Sequence, residues 1–255
     1  MGHRIAERVA QEIIKYYGIT TPSEIDIEAI ALDRRVFVND IVIEGSVARL
    51  QVKNKFGIIS VNRCIKESGK RRFAIAHELG HFELHIDKSK TYICNDRDFL
   101  NWYREKIDET EANIFAAELL MPVDMFREFC PRDEPDFNII STLAAKFNTS
   151  LTATAFRYVE KGYFPCALVA SLNGRIKWRS WSHDFSHIIK GVDTPLHEFS
   201  IAGASLGGES IPNQPKIVNE ECWLDETIKD KELKLHEHSI HLPSYNTILS
   251  LLFFN

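Results

Sequence analysis

Residues 71–85 read RRFAIAHELGHFELH, a segment in which His77 and His81 occur with Glu78 in the pattern H-E-x-x-H. The segment lacks proline and its apolar residues are spaced as on a helix, so we predict that it is helical. Residues four apart lie on one face of a helix, and the two imidazoles are therefore expected to converge on one point. Imidazole is a good ligand for zinc. Glu78 would point beside such a metal, where its carboxylate can take a proton from a bound water molecule.

The same pattern has an ordinary alternative, in which two histidines lie on the surface of an amphipathic helix. The chain has ten histidines. At that content, chance places one such pattern in roughly three sequences of this length in a hundred. The pattern alone favours a metal site without establishing it, and a further ligand must come from elsewhere in the chain.

A second helix is predicted over residues 108–122, which read DETEANIFAAELLMP. Pro122 ends this helix or begins the next element. The apolar residues form a packing face, and Glu111 lies at the edge of that face. A third protein ligand from a separate helix, with water in the fourth position, is usual for catalytic zinc. The second helix is therefore the expected source of the third ligand.

Both segments resemble one known family. Residues 71–81 and 111–122 are together similar to the ImmA/IrrE family of bacterial metallopeptidases, and residues 25–31 look like the helix that precedes the sheet in that family. The resemblance extends over roughly residues 5–160. Two motifs in the correct order are far more specific than H-E-x-x-H alone.

The resemblance implies a set of site residues. By analogy with the family, His77, His81 and Glu111 are the zinc ligands and Glu78 is the general base. Glu109 is a rival third ligand, although it does not occupy the position of the family's E-A-N motif. Manganese is the alternative metal, because a site of two histidines and one carboxylate can hold either ion.

The resemblance also implies a function. Members of the family are regulatory proteases that cut a partner repressor of the helix-turn-helix type, and so switch on stress, defence or mobile-element genes. We expect the repressor to be a separate protein, because this chain lacks the amino-terminal DNA-binding domain that some relatives carry. The rival function is a non-catalytic DNA-binding or partner-binding regulator that keeps a structural zinc site.

Four more residues are candidates for the same site. Three of them could stabilise the oxyanion or form hydrogen bonds to the metal ligands: His85, Tyr92 and Tyr103. Cys94 lies between the two predicted metal helices, where a thiolate could occupy the fourth zinc position and hold the protease inactive. The ordinary alternative for each of the four is a surface or loop residue without a role in catalysis.

The order of the predicted elements indicates an α+β fold. Residues 1–130 are expected to form a zincin-like metallopeptidase domain with a small sheet beside the metal helices. Residues 56–61 are a candidate edge strand that could bind a substrate peptide by strand addition, and the alternative is a buried strand.

Two further regions follow the metallopeptidase domain. Residues 131–163 predict a pair of helices of the helix-turn-helix type. The second of them offers only Arg157 and Lys161 as basic groups, so a packing role is favoured over DNA binding. Residues 164–255 predict a mostly β domain, because Asn173-Gly174 between two strands is a strong hairpin signal. Some family members carry a GAF-like sensor domain there, and by analogy an activating ligand or nucleic acid could bind to it.

Composition restricts the setting in which the protein acts. The net charge of −5 argues against a large non-specific nucleic-acid surface. The amino terminus has no apolar signal core, and the longest apolar run, residues 248–254, is too short to span a bilayer. Five widely spaced cysteines without a C-x-x-C pair indicate free thiols in a reducing compartment. We therefore expect a cytoplasmic protein without a membrane partner.

Overall fold

The computed structural model describes residues 2–85, 107–225, 233–243 and 246–255, together with the backbone of residues 91–94. The chain divides into two compact units. The first comprises Met1–Glu128 and Ala144–Ala153, and the second comprises Phe129–Leu143 and Thr154–Asn255. Helices and two sheets occur together, so the prediction of an α+β fold is confirmed.

The first unit contains a helical layer and a four-stranded sheet. Its helices are α1 (Gly2–Tyr16), α2 (Ile27–Asp33), α3 (Ser68–Leu84), α4 (Ile107–Leu120) and α5 (Val123–Phe129, whose last residue falls in the second unit). Its strands are β1 (Val36–Ile41), β2 (Ala48–Lys53), β3 (Phe56–Asn62) and β4 (Thr91–Cys94).

The strands of this sheet lie in the order β1-β3-β2-β4. Strand β3 is parallel to β1 and antiparallel to β2, with Phe37 and Gln51 both opposite Ile58. Of the two alternatives for residues 56–61, the free edge strand is therefore wrong, because the strand lies inside the sheet. The edges of the sheet among the described strands are β1 and β4, and a peptide cannot add to β3 because both of its sides are already paired.

Helix α3 lies between α4 and the sheet. Ten consecutive residues, from Phe73 to Phe82, are buried, including the polar residues of the H-E-x-x-H segment. The close approach of the sheet depends on Gly57, where a Cβ atom would lie 3.1 Å from Cδ2 of Phe82. A helix covered on several sides is apolar around most of its circumference. Its few polar side chains are consequently held among packed neighbours.

The second unit is built on a five-stranded antiparallel sheet. The remaining α-helices and strands in the described part of the chain are α6 (Phe137–Phe147), α7 (Leu151–Lys161), β5 (Cys166–Leu172), β6 (Arg175–Trp181), α8 (Ile201–Leu206), β7 (Lys216–Ile217), β8 (Leu235–Leu242) and β9 (Thr247–Phe254). The strand order is β6-β5-β9-β8-β7. The predicted hairpin at Asn173-Gly174 is confirmed, since β5 and β6 pair across it and both turn residues have positive φ.

The predicted helical pair is divided between the two units. Residues Ala144–Ala153, which include the turn between α6 and α7, belong to the first unit, and the outer parts of both helices belong to the second. Arg157 on α7 is only 1% exposed, so its guanidinium is not available to a DNA phosphate. This finding favours the packing role over the helix-turn-helix interpretation. No helix in the described part of the chain is long and apolar enough to cross a membrane.

Candidate metal centre

Helices α3 and α4 bring three potential metal ligands together. The Nε2 atoms of His77 and His81 are 3.1 Å apart. One carboxylate oxygen of Glu109, Oε2, lies 3.2 Å from Nε2 of His77 and 3.3 Å from Nε2 of His81. Both imidazoles are buried, whereas the side chain of Glu109 is 21% exposed. The two histidines therefore lie on the buried side of the site, and Glu109 lies on the side nearer to solvent.

This triangle of atoms fits a small divalent cation. Zinc ligands in tetrahedral geometry at about 2.0–2.1 Å from the metal lie about 3.3–3.4 Å from one another. The observed separations of 3.1, 3.2 and 3.3 Å are close to that value. Among the described residues, His77, His81 and Glu109 are the group whose ligand atoms could hold a metal ion. Two imidazole nitrogens and one carboxylate oxygen are also a donor set that zinc and manganese accept.

Glu111 does not join the two imidazoles, which corrects the expectation that it is the third ligand. Residues two apart on a helix point in directions about 200° apart. Because Glu109 faces His77 and His81, Glu111 points away from them, and its Oε2 lies 2.9 Å from Nε2 of His85. The sequence did contain a signal for this orientation: Glu109 and Asn113 are four residues apart and thus share a face of α4.

Asn113 supports the site from the face that carries Glu109. Its Oδ1 lies 2.8 Å from Nδ1 of His77, and its side chain is buried. Behind the second ligand, Nδ1 of His85 lies 3.2 Å from Nδ1 of His81. Each of the two histidines in the triangle therefore has a polar partner at the ring nitrogen opposite the one that faces the site.

Glu78, the candidate base, is fully buried on α3 next to His77. The other candidates from the sequence lie largely outside the described residues. Tyr92 and Cys94 belong to β4, whose backbone pairs with β2, but their side chains are outside the described set, as is the whole of Tyr103. Their suggested roles therefore remain predictions.

Burial and mutual contacts set the protonation of the site. Burial lowers the pKa of His81 to about 4, assisted by the neighbouring imidazoles and opposed by Glu109. Burial alone would raise the pKa of Glu109, but its hydrogen bonds with His77 and His81 outweigh that effect and lower it. A neutral His81 and an ionised carboxylate are the forms in which these groups bind a metal. His81 and Glu109 thus have the charge states that a bound cation requires.

Comparisons with known proteins point to metallopeptidases. Residues 15–158, more than half of the chain, match the family model of the IrrE N-terminal-like domain, a peptidase family. The chain is 28% identical over 116 residues to the radiation response metalloprotease IrrE of Deinococcus deserti, an alignment that covers 44% of this chain and 41% of that protein. It is 27% identical over 155 residues to the metallopeptidase ImmA of Bacillus subtilis, covering 60% of this chain and 84% of that protein.

A solved structure extends the likeness to nearly the whole chain. The fold is similar to that of a Mycobacterium tuberculosis transcriptional regulator, with a TM-score of 0.64 over 97% of this chain and 75% of that one. The sequence identity is 14%, so the comparison establishes a shared fold and nothing about activity.

Proposed function

Since this chain belongs to the ImmA/IrrE family of metallopeptidases, we propose that it is a zinc-dependent endopeptidase that cleaves a separate helix-turn-helix repressor. Cleavage would derepress stress, defence or mobile-element genes. The observation that carries the proposal is the convergence of His77, His81 and Glu109 beside the buried Glu78. Family membership implies a divalent metal, and the donor set is compatible with zinc.

In this proposal the residues of α3 and α4 have separate tasks. Nε2 of His77, Nε2 of His81 and Oε2 of Glu109 would hold the metal, so Glu109 replaces Glu111 in the ligand set. Zinc, when bound, would polarise the scissile carbonyl and acidify water. Glu78 would accept the proton from that water and pass it to the leaving amine. Glu78 lies in the middle of a packed helix, directly after His77, so the helix holds it beside the two histidine ligands.

The burial of Glu78 supports its assignment as the base. The residue is fully buried although ionisable side chains are rarely so unless they have a partner or a function. Ala76 and Leu79, which lie close to Glu78 on α3, are also fully buried. Bulk water is therefore excluded from this part of the helix. A base held in a water-poor site can transfer one proton to a leaving group without exchanging it with solvent.

The proposal is tested by mapping new protein amino termini in cells that express the wild type or Glu78→Gln. We expect the wild type to generate a cleaved repressor fragment, and the variant to generate none while binding as much zinc. Loss of a general base typically slows such a step by about 10²–10⁴-fold, which is enough to remove the fragment. The same fragment from both proteins would show that Glu78 is not the base.

The mostly β second unit is proposed to sense an activating ligand, by analogy with the GAF-like domains of some relatives. A cavity of about 340 Å³ at one end of its sheet supports this role. Its lining combines apolar and polar side chains and includes no lysine or arginine among the described residues: Ser171, Asn173, Gly174, Ser205, Leu206, Glu209, Ile211, His241, Asn246 and Ile248. This lining favours a neutral or cationic polar molecule over a nucleotide or another anion.

Two alternatives are less well supported. A DNA-binding regulator would use α7, but one of its two basic side chains, Arg157, is buried. A partner-binding module with a structural metal would not require a buried glutamate next to the first histidine ligand. The cytoplasmic location, the choice of zinc over manganese and the identity of the repressor remain parts of the proposal.

A further inference from the structure

His81 contacts His85 on the side of its ring that faces away from the metal position, and His85 in turn contacts Glu111. Nδ1 of His81 lies 3.2 Å from Nδ1 of His85, and Nε2 of His85 lies 2.9 Å from Oε2 of Glu111. The result is a row of three groups that ends at a carboxylate and begins at the ring of a proposed metal ligand. The relay formed by Glu111 and His85 is distinct from the ligand triangle, because neither residue contributes an atom to it.

The hydrogen-bonding properties of these groups fix the direction of the relay. An ionised carboxylate can only accept hydrogen bonds, so the bond between His85 and Glu111 requires a proton on Nε2 of His85. In its neutral form, the ring of His85 then has a lone pair on Nδ1. The contact between the two rings consequently requires His81 to donate from Nδ1, which leaves the lone pair of His81 on Nε2. Without a metal, the ionised Glu109 favours a proton on that same Nε2, so the relay opposes the hydrogen bond between Glu109 and His81.

That lone pair is the one a metal needs. Nε2 of His81 is the atom that faces Nε2 of His77 and Oε2 of Glu109. In the other neutral tautomer the same nitrogen would carry hydrogen and could not bind a cation. We therefore propose that Glu111 and His85 are positioning residues that hold His81 in the metal-binding tautomer.

The surroundings make this selection effective. His81 is 1% exposed, and the side chains of His85 and Glu111 are 11% and 17% exposed. Water competes little for hydrogen bonds in such a place, so the protein partner decides which ring nitrogen carries the proton. His77 has an equivalent partner in Asn113, whose Oδ1 lies 2.8 Å from its Nδ1. Each of the two imidazoles is thus oriented by a partner at its Nδ1 atom, which is Asn113 for His77 and His85 for His81.

The relay gives the two glutamates of α4 different functions. Glu109 reaches the metal position directly, whereas Glu111 acts on it through two rings. This inference rests on the proposed metal site, but it does not depend on peptidase activity. Metal affinity and the tautomer of His81 can both be measured without a substrate.

The experiment compares zinc affinity by chelator competition in the wild type, Glu109→Ala, His85→Leu, Glu111→Leu and Glu111→Gln. Loss of a residue that orients a metal ligand typically weakens metal affinity by about 10- to 100-fold, and we expect that range for His85→Leu and Glu111→Leu. We expect a smaller loss for Glu111→Gln, because its carbonyl oxygen can still accept the hydrogen bond from His85. Glu109→Ala, which removes a ligand, should lose the most. Asp108→Leu, an exposed change on the same turn, is the matched control.

A second readout separates orientation from simple packing. Long-range ¹H–¹⁵N spectra of the metal-free protein report which nitrogen of each histidine carries hydrogen. The wild type and Glu111→Gln should show a larger share of the Nδ1-protonated tautomer of His81 than His85→Leu, in which the contact with Glu109 favours a proton on Nε2 instead. Circular dichroism checks that each variant is folded.

Each outcome bears on one claim. The relay is overturned if His85→Leu and Glu111→Leu keep wild-type zinc affinity, or lose affinity with the tautomer of His81 unchanged. In either case a loss of zinc in Glu109→Ala would leave the proposed function intact. If Glu109→Ala also binds zinc as the wild type does, the proposed metal site itself fails.

Discussion

The cysteines of the described residues differ sharply in the accessibility of their thiols. Cys64 is exposed, and Cys130, Cys166 and Cys222 are buried. Burial raises the pKa of Cys222 to about 11, and the nearby carboxylates of Glu237 and Glu221 act in the same direction. Burial also raises the pKa of Cys166, which is completely enclosed. The rate at which an alkylating agent modifies a thiol depends on its thiolate fraction and on its exposure to solvent. The exposed and buried cysteines should therefore react at clearly different rates.

We predict that, among the cysteines whose side chains are described, iodoacetamide modifies Cys64 first and Cys222 slowly at pH 8. A thiol with a pKa near 11 is only about one part in a thousand thiolate at that pH, and the fraction rises about tenfold per pH unit. The rate at Cys222 should therefore increase between pH 7 and pH 9.5 while the protein stays folded. Peptide mass spectrometry measures both sites in one sample. Equal rates at Cys64 and Cys222 would show that the second thiol is not enclosed as described.

The assignment of single residues in the metal site shows where sequence reasoning stops. His77, Glu78 and His81 could be predicted, because their relation depends on the period of one helix. The same period shows that Glu109 shares a face of α4 with Asn113, but it does not show which face of α4 is turned toward α3. The face turned toward α3 depends on how α4 is rotated about its own axis, which is set by packing against α1 and α3.

At the scale of elements, the contact between α3 and α4 depends on Gly80. A Cβ atom at this position would lie 3.0 Å from Cδ1 of Phe115 and 3.1 Å from Cα of Ala112. Ala112 immediately precedes Asn113, the partner of His77, and lies one turn from Glu109. The small residue therefore lets α4 approach closely enough to place its polar groups at the site.

We predict that Gly80→Val lowers both stability and metal affinity. The added side chain must displace the backbone of α4, and overpacking of this kind typically costs about 1–3 kcal/mol. Moving α4 also moves Glu109 away from the imidazoles. Thermal unfolding and zinc competition measure the two effects.

Gly69→Ala is the matched control for Gly80→Val. A Cβ atom at Gly69, near the other end of α3, would overlap the backbone of Thr149 and Ser150. We expect this variant to lose stability and to keep its metal affinity, because the overlap lies two turns from His77. Unchanged metal affinity in Gly80→Val would contradict the role given to the α3–α4 contact.

At the scale of the whole molecule, the first unit draws part of its core from a distant piece of the chain. The segment Ala144–Ala153 contributes Phe147, which is 1% exposed and whose ring centroid lies 5.6 Å from that of Phe126. The hydroxyl of Thr149 donates to Sδ of Met121 at 3.6 Å. The unit that carries the candidate metal site therefore does not end near residue 130.

We predict that Phe147→Ala costs about 3–5 kcal/mol of unfolding free energy, as expected for loss of a buried phenylalanine. Ser141→Ala, an exposed change on the same helix, should have little effect. Chemical denaturation measures both. If Phe147→Ala is as stable as the control, the segment does not belong to the core of the first unit.

Prediction from sequence succeeded at this scale where the signals are local. The α+β class, the helix of the H-E-x-x-H segment and the Asn173-Gly174 hairpin each follow from periodicity or turn chemistry over a few residues. The position of β3 between β1 and β2, and the division of α6 and α7 between two units, depend on pairings between distant segments. Side-chain period fixes which face of a strand is buried, but it does not identify the strand's neighbours.

The ligand set is tested most directly by metal content, measured by mass spectrometry after zinc loading and desalting, in the wild type, Glu109→Ala and Glu111→Ala. We predict one zinc per chain in the wild type, none retained in Glu109→Ala, and a partial loss in Glu111→Ala. Retention of zinc by Glu109→Ala together with its loss from Glu111→Ala would contradict the site described here and restore Glu111 as the third ligand. A wild type that binds no zinc or manganese would contradict the proposed metallopeptidase itself.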